Sequence, residues 1–323
     1  MKLIPFVVLL LFLGTGADRV AEAARRELIK IGVLTDSWGP TPGVLGLRDG
    51  LRELGYRENR DFFIGVRFTQ GNVQELPKAA HELIAQGIDL LFTNNPAPAQ
   101  AAQKATDRIP IVFYGAGDPQ GLGLIKTFAR PGGNITGITD LDLDLDTKRL
   151  ENFKELVPGL QRVFFAYDPS EDLSVAQAKV YRDTASYLRL DFQEKPVTSK
   201  EEAQKTFARI EKSETDGIIA PRSLSFNIPG LVIQATLQKR IPTMFFGSWY
   251  VEQGGFASYG TNFYESGRMA ARLVDKIIKG TKPSEIPVEV NHKLEFVVNL
   301  RVAKNLGIQI PPAILYRANR VIR

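Results

Sequence analysis

Arg130-Pro131-Gly132-Gly133-Asn134 is the stretch on which the reading of the fold turns. A proline followed by two glycines and an asparagine stops regular structure, and here it interrupts a long alternation of short apolar runs with amphipathic stretches. Upstream, that alternation predicts strands over Leu28 to Leu34, Phe62 to Phe68, Ile88 to Thr93 and Pro110 to Phe113, with helices between them. Downstream it restarts, with strands expected over Arg162 to Tyr167, Leu190 to Glu194, Gly217 to Ala220 and Pro242 to Phe246, and a long last helix over Tyr264 to Lys279. Strands alternating with helices predict parallel sheets covered on both faces. Two such series predict an α/β protein of two doubly wound, Rossmann-like lobes. The chain is expected to change lobes at Arg130 to Gly137 and again at Gly254 to Gly260.

The remaining sequence sets the compartment and narrows the chemistry. Residues 1–23 carry a lysine, an apolar run from Leu3 to Leu13 and a small-x-small site at Ala21-Glu22-Ala23. This is the pattern of a cleaved secretory signal peptide, too short to span a bilayer. A soluble, exported, periplasmic protein beginning at Ala24 is the expectation. The 323 residues carry a net charge of +5, and removing residues 1–23 leaves that excess unchanged. The basic residues form no stripe, so nucleic acid is not an expected partner. There is no cysteine and there are two histidines, His81 and His292, neither next to a serine or a paired carboxylate in sequence. Thiolate chemistry is excluded, and an enzyme is not expected.

Ligands of open parallel sheets bind beyond the carboxyl ends of the strands. Those ends read Thr35-Asp36-Ser37-Trp38, Asn94-Asn95-Pro96 and Tyr114-Gly115-Ala116-Gly117-Asp118 in the first series. In the second they read Tyr167-Asp168-Pro169-Ser170, Pro221-Arg222-Ser223 and Gly247-Ser248-Trp249-Tyr250. Both tryptophans fall at such ends, one in each series. Trp38, Tyr167 and Trp249 suit an aromatic or aliphatic group. Asn94, Asn95, Ser223 and Ser248 suit a carboxylate, and Asp36, Asp118 and Asp168 suit an ammonium group. Together they describe a site for a small zwitterion, an amino acid, aromatic ones included, being the expected class.

Other motifs fail on inspection. No G-x-G-x-x-G follows the first strand, and neither a phosphate-binding G-x-x-x-x-G-K-[ST] nor a G-x-S-x-G elbow occurs. Asp140, Asp142, Asp144 and Asp146 are spaced like calcium ligands, but Leu145 occupies the position where the loop needs glycine. A solvated acidic loop is expected there, with no metal and no cofactor.

Beyond these patterns, the chain resembles the exported substrate-binding proteins of ABC transporters whose better-known members bind aromatic amino acids. The resemblance covers nearly the whole mature chain. It is carried by Gly46-Leu47-Arg48-Asp49-Gly50-Leu51, by Ala129-Arg130-Pro131-Gly132-Gly133-Asn134-Ile135-Thr136-Gly137, by Gly254-Gly255-Phe256-Ala257-Ser258-Tyr259-Gly260 and by Asn305-Leu306-Gly307-Ile308-Gln309-Ile310-Pro311-Pro312. It implies a periplasmic binding protein fold of type I, with a three-strand hinge and a ligand closed between lobes. The expected lobes are 27–138 with 261–285, and 139–260 with 286–323. It further implies a monomer that delivers an amino acid-like solute to a permease in the inner membrane. The alternative is an exported sensor component presenting its solute to a membrane receptor. Where such proteins commonly show Gly-Thr-Pro-Ala, this chain has Asn94-Asn95-Pro96-Ala97, so an amide replaces a hydroxyl at the third strand end.

Overall fold

The computed structural model of the chain describes residues 28–39, 41–140, 142–228 and 230–323. The segment read as a signal peptide lies outside them. Strands β1 (Ile29–Thr35), β2 (Phe62–Phe68), β3 (Leu90–Asn94), β4 (Ile111–Tyr114) and β5 (Ile135–Thr139) come first in the chain. Strands β6 (Arg162–Tyr167), β7 (Asp191–Pro196), β8 (Gly217–Ile219), β9 (Thr243–Phe245) and β10 (Ala257–Thr261) follow. The last three are β11 (Glu289–Val290), β12 (Leu294–Asn299) and β13 (Arg320–Ile322).

They form two sheets. The first has the order β11-β5-β4-β3-β1-β2 and is parallel throughout. The second has the order β13-β12-β10-β9-β8-β6-β7 and is parallel except where β10 meets β12. Each is an α/β lobe with apolar clusters on both faces of its sheet. The inner strands are nearly continuous apolar runs such as Ile111–Tyr114, as burial on both faces requires. Among the described residues no helix is long and apolar enough to cross a membrane.

Chain continuity between the lobes is indirect. The helix Phe263–Ile278 follows β10 of the second sheet yet packs along Pro42–Glu53 on the first. Glycines let the two helices touch. A Cβ on Gly267 would lie 1.9 Å from the Gly43 carbonyl oxygen, and one on Gly46 would lie 1.9 Å from that of Tyr264. Strand β11 then pairs with β5 in the first sheet, although the sequence reading gave residues 286–323 to the second lobe. The chain thus crosses after β5, after β10 and after β11.

Asn291, fully buried, ties these three crossings together. Its backbone N–H donates to the Thr139 carbonyl at 2.9 Å. Its Nδ2 donates to the Asn262 carbonyl at 2.9 Å and to Ser266 Oγ at 2.8 Å. Its Oδ1 accepts from the Lys293 backbone N–H at 2.8 Å.

Two expectations are corrected here. Arg130 to Asn134 is not itself a crossing: it feeds β5, which still belongs to the first sheet, and Asn134 Nδ2 donates to the carbonyls of Thr106 and Ile109 in that lobe. Nor is the run after β5 a solvated acidic loop. Asp142–Leu156 is helical, and Asp140 and Asp146 are buried. Asp146 pairs with the buried Arg149, which also donates to Tyr181 Oη and to the Tyr259 carbonyl. Asp140 pairs with Arg222 of the second lobe. Spacing alone does not reveal that these two carboxylates are buried against cations, Arg149 three residues on and Arg222 distant in sequence.

The helix contact yields a test. Gly267→Ala forces a methyl into a backbone carbonyl, and overpacking of this kind costs ~1–3 kcal/mol or more. Gly159→Ala, where a Cβ meets nothing, serves as the control. Urea unfolding should show a clear loss for the first variant and little change for the second.

Candidate ligand-binding cleft

In both sheets the strand order reverses beside one strand, between β1 and β3 in the first and between β6 and β8 in the second. Loops diverge at such points and leave a crevice at the carboxyl ends of the strands. A cavity of about 720 Å³ lies there between the lobes. Trp38, Asn94, Asn95 and Tyr114 line it from the first lobe, and Ser225, Phe246, Ser248 and Trp249 from the second. Phe263, at the start of the crossing helix, lies between them.

Three first-lobe helices begin at this cavity: Pro42–Glu53, Pro96–Ala105 and Phe263–Ile278. Helix starts present unbonded N–H groups and the positive end of the macrodipole. Two of the residues placed to cap them do not. Thr41 Oγ1 is hydrogen-bonded to Tyr114 Oη at 2.6 Å, and Asn95 Nδ2 donates to Asp36 Oδ1 at 3.1 Å. Asn95 also holds φ at 62° and ψ at 165°, a conformation unfavourable for a side-chain-bearing residue. Strain of this order, ~1–3 kcal/mol, persists where surrounding contacts over-determine it. Here Pro96, the Asp36 bond and the Asn95 N–H donated to the Tyr114 carbonyl do so. The result leaves two helix starts available to an anionic group.

The charges near the cavity come from both lobes. Burial pushes the Asp36 carboxyl up to about 6, against the lowering effects of the Asn95 bond and the Arg222 charge. Burial also raises Glu171; the Ser223 hydroxyl bonded to it opposes the shift, while the charges of Asp168 and Asp36 add to it. Arg222 reaches from the second lobe into the first, where its Nη2 donates to the Gly115 carbonyl at 2.8 Å and to Asp140 Oδ2 at 3.1 Å. Its guanidinium lies 5.8 Å and 5.5 Å from the ring centres of Phe246 and Phe263. The Asn94 side-chain oxygen and the Ser225 hydroxyl are buried at the cavity wall without a protein partner.

Of the residues singled out in the sequence, Trp38, Asn94, Asn95, Ser248 and Trp249 line the cavity. Asp118 does not: it is exposed, and its Oδ1 accepts from the Gly121 N–H at 2.9 Å. Asp168 Oδ1 likewise accepts from the N–H and hydroxyl of Ser170, at 2.8 Å and 2.6 Å. Both precede proline, and both short side chains fold back on their own turns. Tyr167 packs against the second lobe's core, and Ser223 sits behind the wall, bonded to Glu171. Asp36 is buried beside the wall, bonded to the lining residue Asn95, and the carboxylates on the lining itself are Glu252 and Glu295 of the second lobe. Arg222 had a visible signal at a strand end; Glu171, Ser225 and Phe246 lie just past strand ends of the second sheet with no motif of their own, and Phe263 joins them only through the crossing helix. His81 and His292 are exposed. Among the described residues no cluster of three or more His, Cys, Asp or Glu is placed to hold a metal ion.

Two doubly wound lobes, three crossings and a cavity between them are the architecture of the type I periplasmic binding proteins. Residues 35–322 match the family described as ABC transporter substrate binding protein, and the chain belongs to that family. It is 26% identical over 297 residues to a tyrosine-binding protein of Clostridioides difficile, a match covering 92% of this chain and 85% of that one. A crystal structure of an ABC domain from Streptococcus pneumoniae in complex with L-Trp is similar at a TM-score of 0.79 and 29% identity, covering 92% of this chain and 100% of that one. A conserved domain protein from Vibrio cholerae is similar at the same TM-score and identity, over 91% of this chain and 100% of that one.

The buried Asp36 has a measurable consequence for the ligand-free protein. A carboxyl raised from 3.8 to about 6 by folding opposes folding once ionised, a penalty on the order of 3 kcal/mol that grows in between pH 4 and 6 and is complete above about 6. Asp36→Asn keeps an acceptor for Asn95 and removes the charge. Its unfolding free energy should exceed that of the wild type at pH 7.5 and converge with it at pH 4.

Proposed function

We propose that the chain is exported and captures an amino acid, preferentially an aromatic one, between its lobes for delivery to an ABC permease in the inner membrane. The observation that carries this reading is the cavity's division of labour. Asp36, a carboxylate buried just behind the lining residue Asn95, suits the ammonium group, and the uncapped starts of Pro42–Glu53 and Pro96–Ala105 suit the carboxylate. Trp249, Phe246 and Phe263 offer flat apolar surface for a side chain. The printed ligands of the relatives, tyrosine and L-Trp, belong to the same chemical class. Binding works by population shift: a ligand touching both lobes favours the closed form by the contacts that only this form provides. The permease distinguishes that form from the open one. The signal-like segment ending at Ala23 supports export, and sequencing the amino terminus of protein from the cell envelope tests it, Ala24 being the expected first residue.

Titration calorimetry against a panel of amino acids tests the ligand class. Asp36→Asn should weaken binding at least about tenfold, because an ammonium group loses its charged partner. An ammonium ligand requires ionised Asp36, so wild-type affinity should fall as pH drops below about 6, by roughly tenfold per unit, and the variant should lose that dependence. Trp249→Ala should weaken tryptophan and tyrosine more than alanine. If no amino acid binds, the zwitterion reading fails.

A further inference from the structure

Trp38 stands on the wall of two cavities. One is the ligand cleft. The other, of about 530 Å³, lies on the second lobe between the helices Lys200–Arg209 and Leu231–Lys239, and Phe207, Ile228 and Leu231 are among its apolar walls. The indole is 48% exposed, and Lys200 Nζ lies 5.2 Å from the ring centre. Trp38 follows β1 of the first sheet and Lys200 follows β7 of the second, so this contact spans the opening between the lobes.

Its position matters more than its strength. The crossings leave from β5, β10 and β11, near one side of each sheet. Strand β1 is three strands from β5, and β7 is four strands from β10. At about 4.8 Å per strand, the contact sits roughly 14 to 19 Å from the hinge. A small rotation there separates the pair completely, while contacts beside the hinge barely lengthen.

We propose that Trp38 and Lys200 form a latch that holds the closed form. The indole of the first lobe seats at the mouth of the second-lobe groove under the ammonium of Lys200, and its part in binding is to keep the lobes together and the cleft walled from solvent. This rests on the reading of the chain as a two-lobe binding protein. It differs from a ring contact to the ligand in one respect: a latch scales the affinity of every ligand by the same factor.

The test uses Lys200→Met, Lys200→Arg and Trp38→Ala, with L-tryptophan, L-tyrosine and L-alanine as probes. Lys200→Met should weaken each amino acid that binds by the same factor, about two- to fivefold, chiefly through faster dissociation. Lys200→Arg, whose guanidinium also stacks on indole, should restore wild-type values. Trp38→Ala should give a larger but equally uniform loss. In a Trp249→Phe background Trp38 is the sole tryptophan, and Lys200→Met should raise its quenching by acrylamide. Unchanged quenching and affinity in Lys200→Met overturn the latch. A Trp38→Ala loss confined to aromatic ligands overturns it too, and makes the indole a ligand wall. If no amino acid binds but the quenching difference appears, the latch stands and the ligand reading falls. If neither appears, both fall.

Discussion

A single buried amide, that of Asn291, holds three independent chain crossings in register. Each crossing alone is a flexible link with a pair of backbone groups to satisfy. Bound to Thr139, Asn262 and Ser266 at once, they become one joint. Unsatisfied polar groups at this depth are costly, so separating any crossing from the others is strongly opposed. Rotation about that joint is the motion that leaves these bonds intact. Every residue assigned to the cleft depends on it, because the strand ends of two sheets face each other only when the joint sets their distance.

The lobes handle charge differently. In the second lobe, Asp146, Arg149 and Tyr181 form a closed set inside the core, with Arg149 also bonded to a carbonyl of β10. A buried pair of this kind contributes little net stability but penalises any rearrangement that separates its members. At the cleft the balance is left open. Arg222 answers Asp140, while Glu171 of the second lobe is raised by burial and in part by the charge of Asp36 on the first. The second lobe's core keeps its charges among themselves, whereas those beside the cleft are drawn from both lobes.

Much of this architecture was legible in the residues. Apolar runs four to seven residues long, punctuated by helix stripes, marked the strands, and the glycine-rich 130s marked a real break. The break was misplaced by one strand because Pro131 to Asn134 reads as a terminator whichever sheet the next strand joins. Asn134 decides the matter through bonds to Thr106 and Ile109 that no local pattern encodes. At the cleft, position along a strand indicated which residues approach the crevice, and five of the ten candidates line it. It did not separate a side chain facing a ligand from one closing its own turn, and Asp118 and Asp168 fell on the wrong side of that distinction. Phe246 and Phe263, from different lobes, meet only because of the hinge.

The return of the chain to its first lobe has a bearing on how the protein is made. Ribosomal synthesis delivers the amino terminus first. The helix Phe263–Ile278 and strand β11 arrive only after every strand of the second sheet up to β10. Until then Pro42–Glu53 has no partner for its glycine face, and β5 is an open edge offering unpaired backbone groups. Pairings between residues more than a hundred positions apart close slowly. The amino-terminal lobe, first to emerge, thus stays unfinished until most of the second lobe has been made, and its exposed edge must be kept from other chains in the interval.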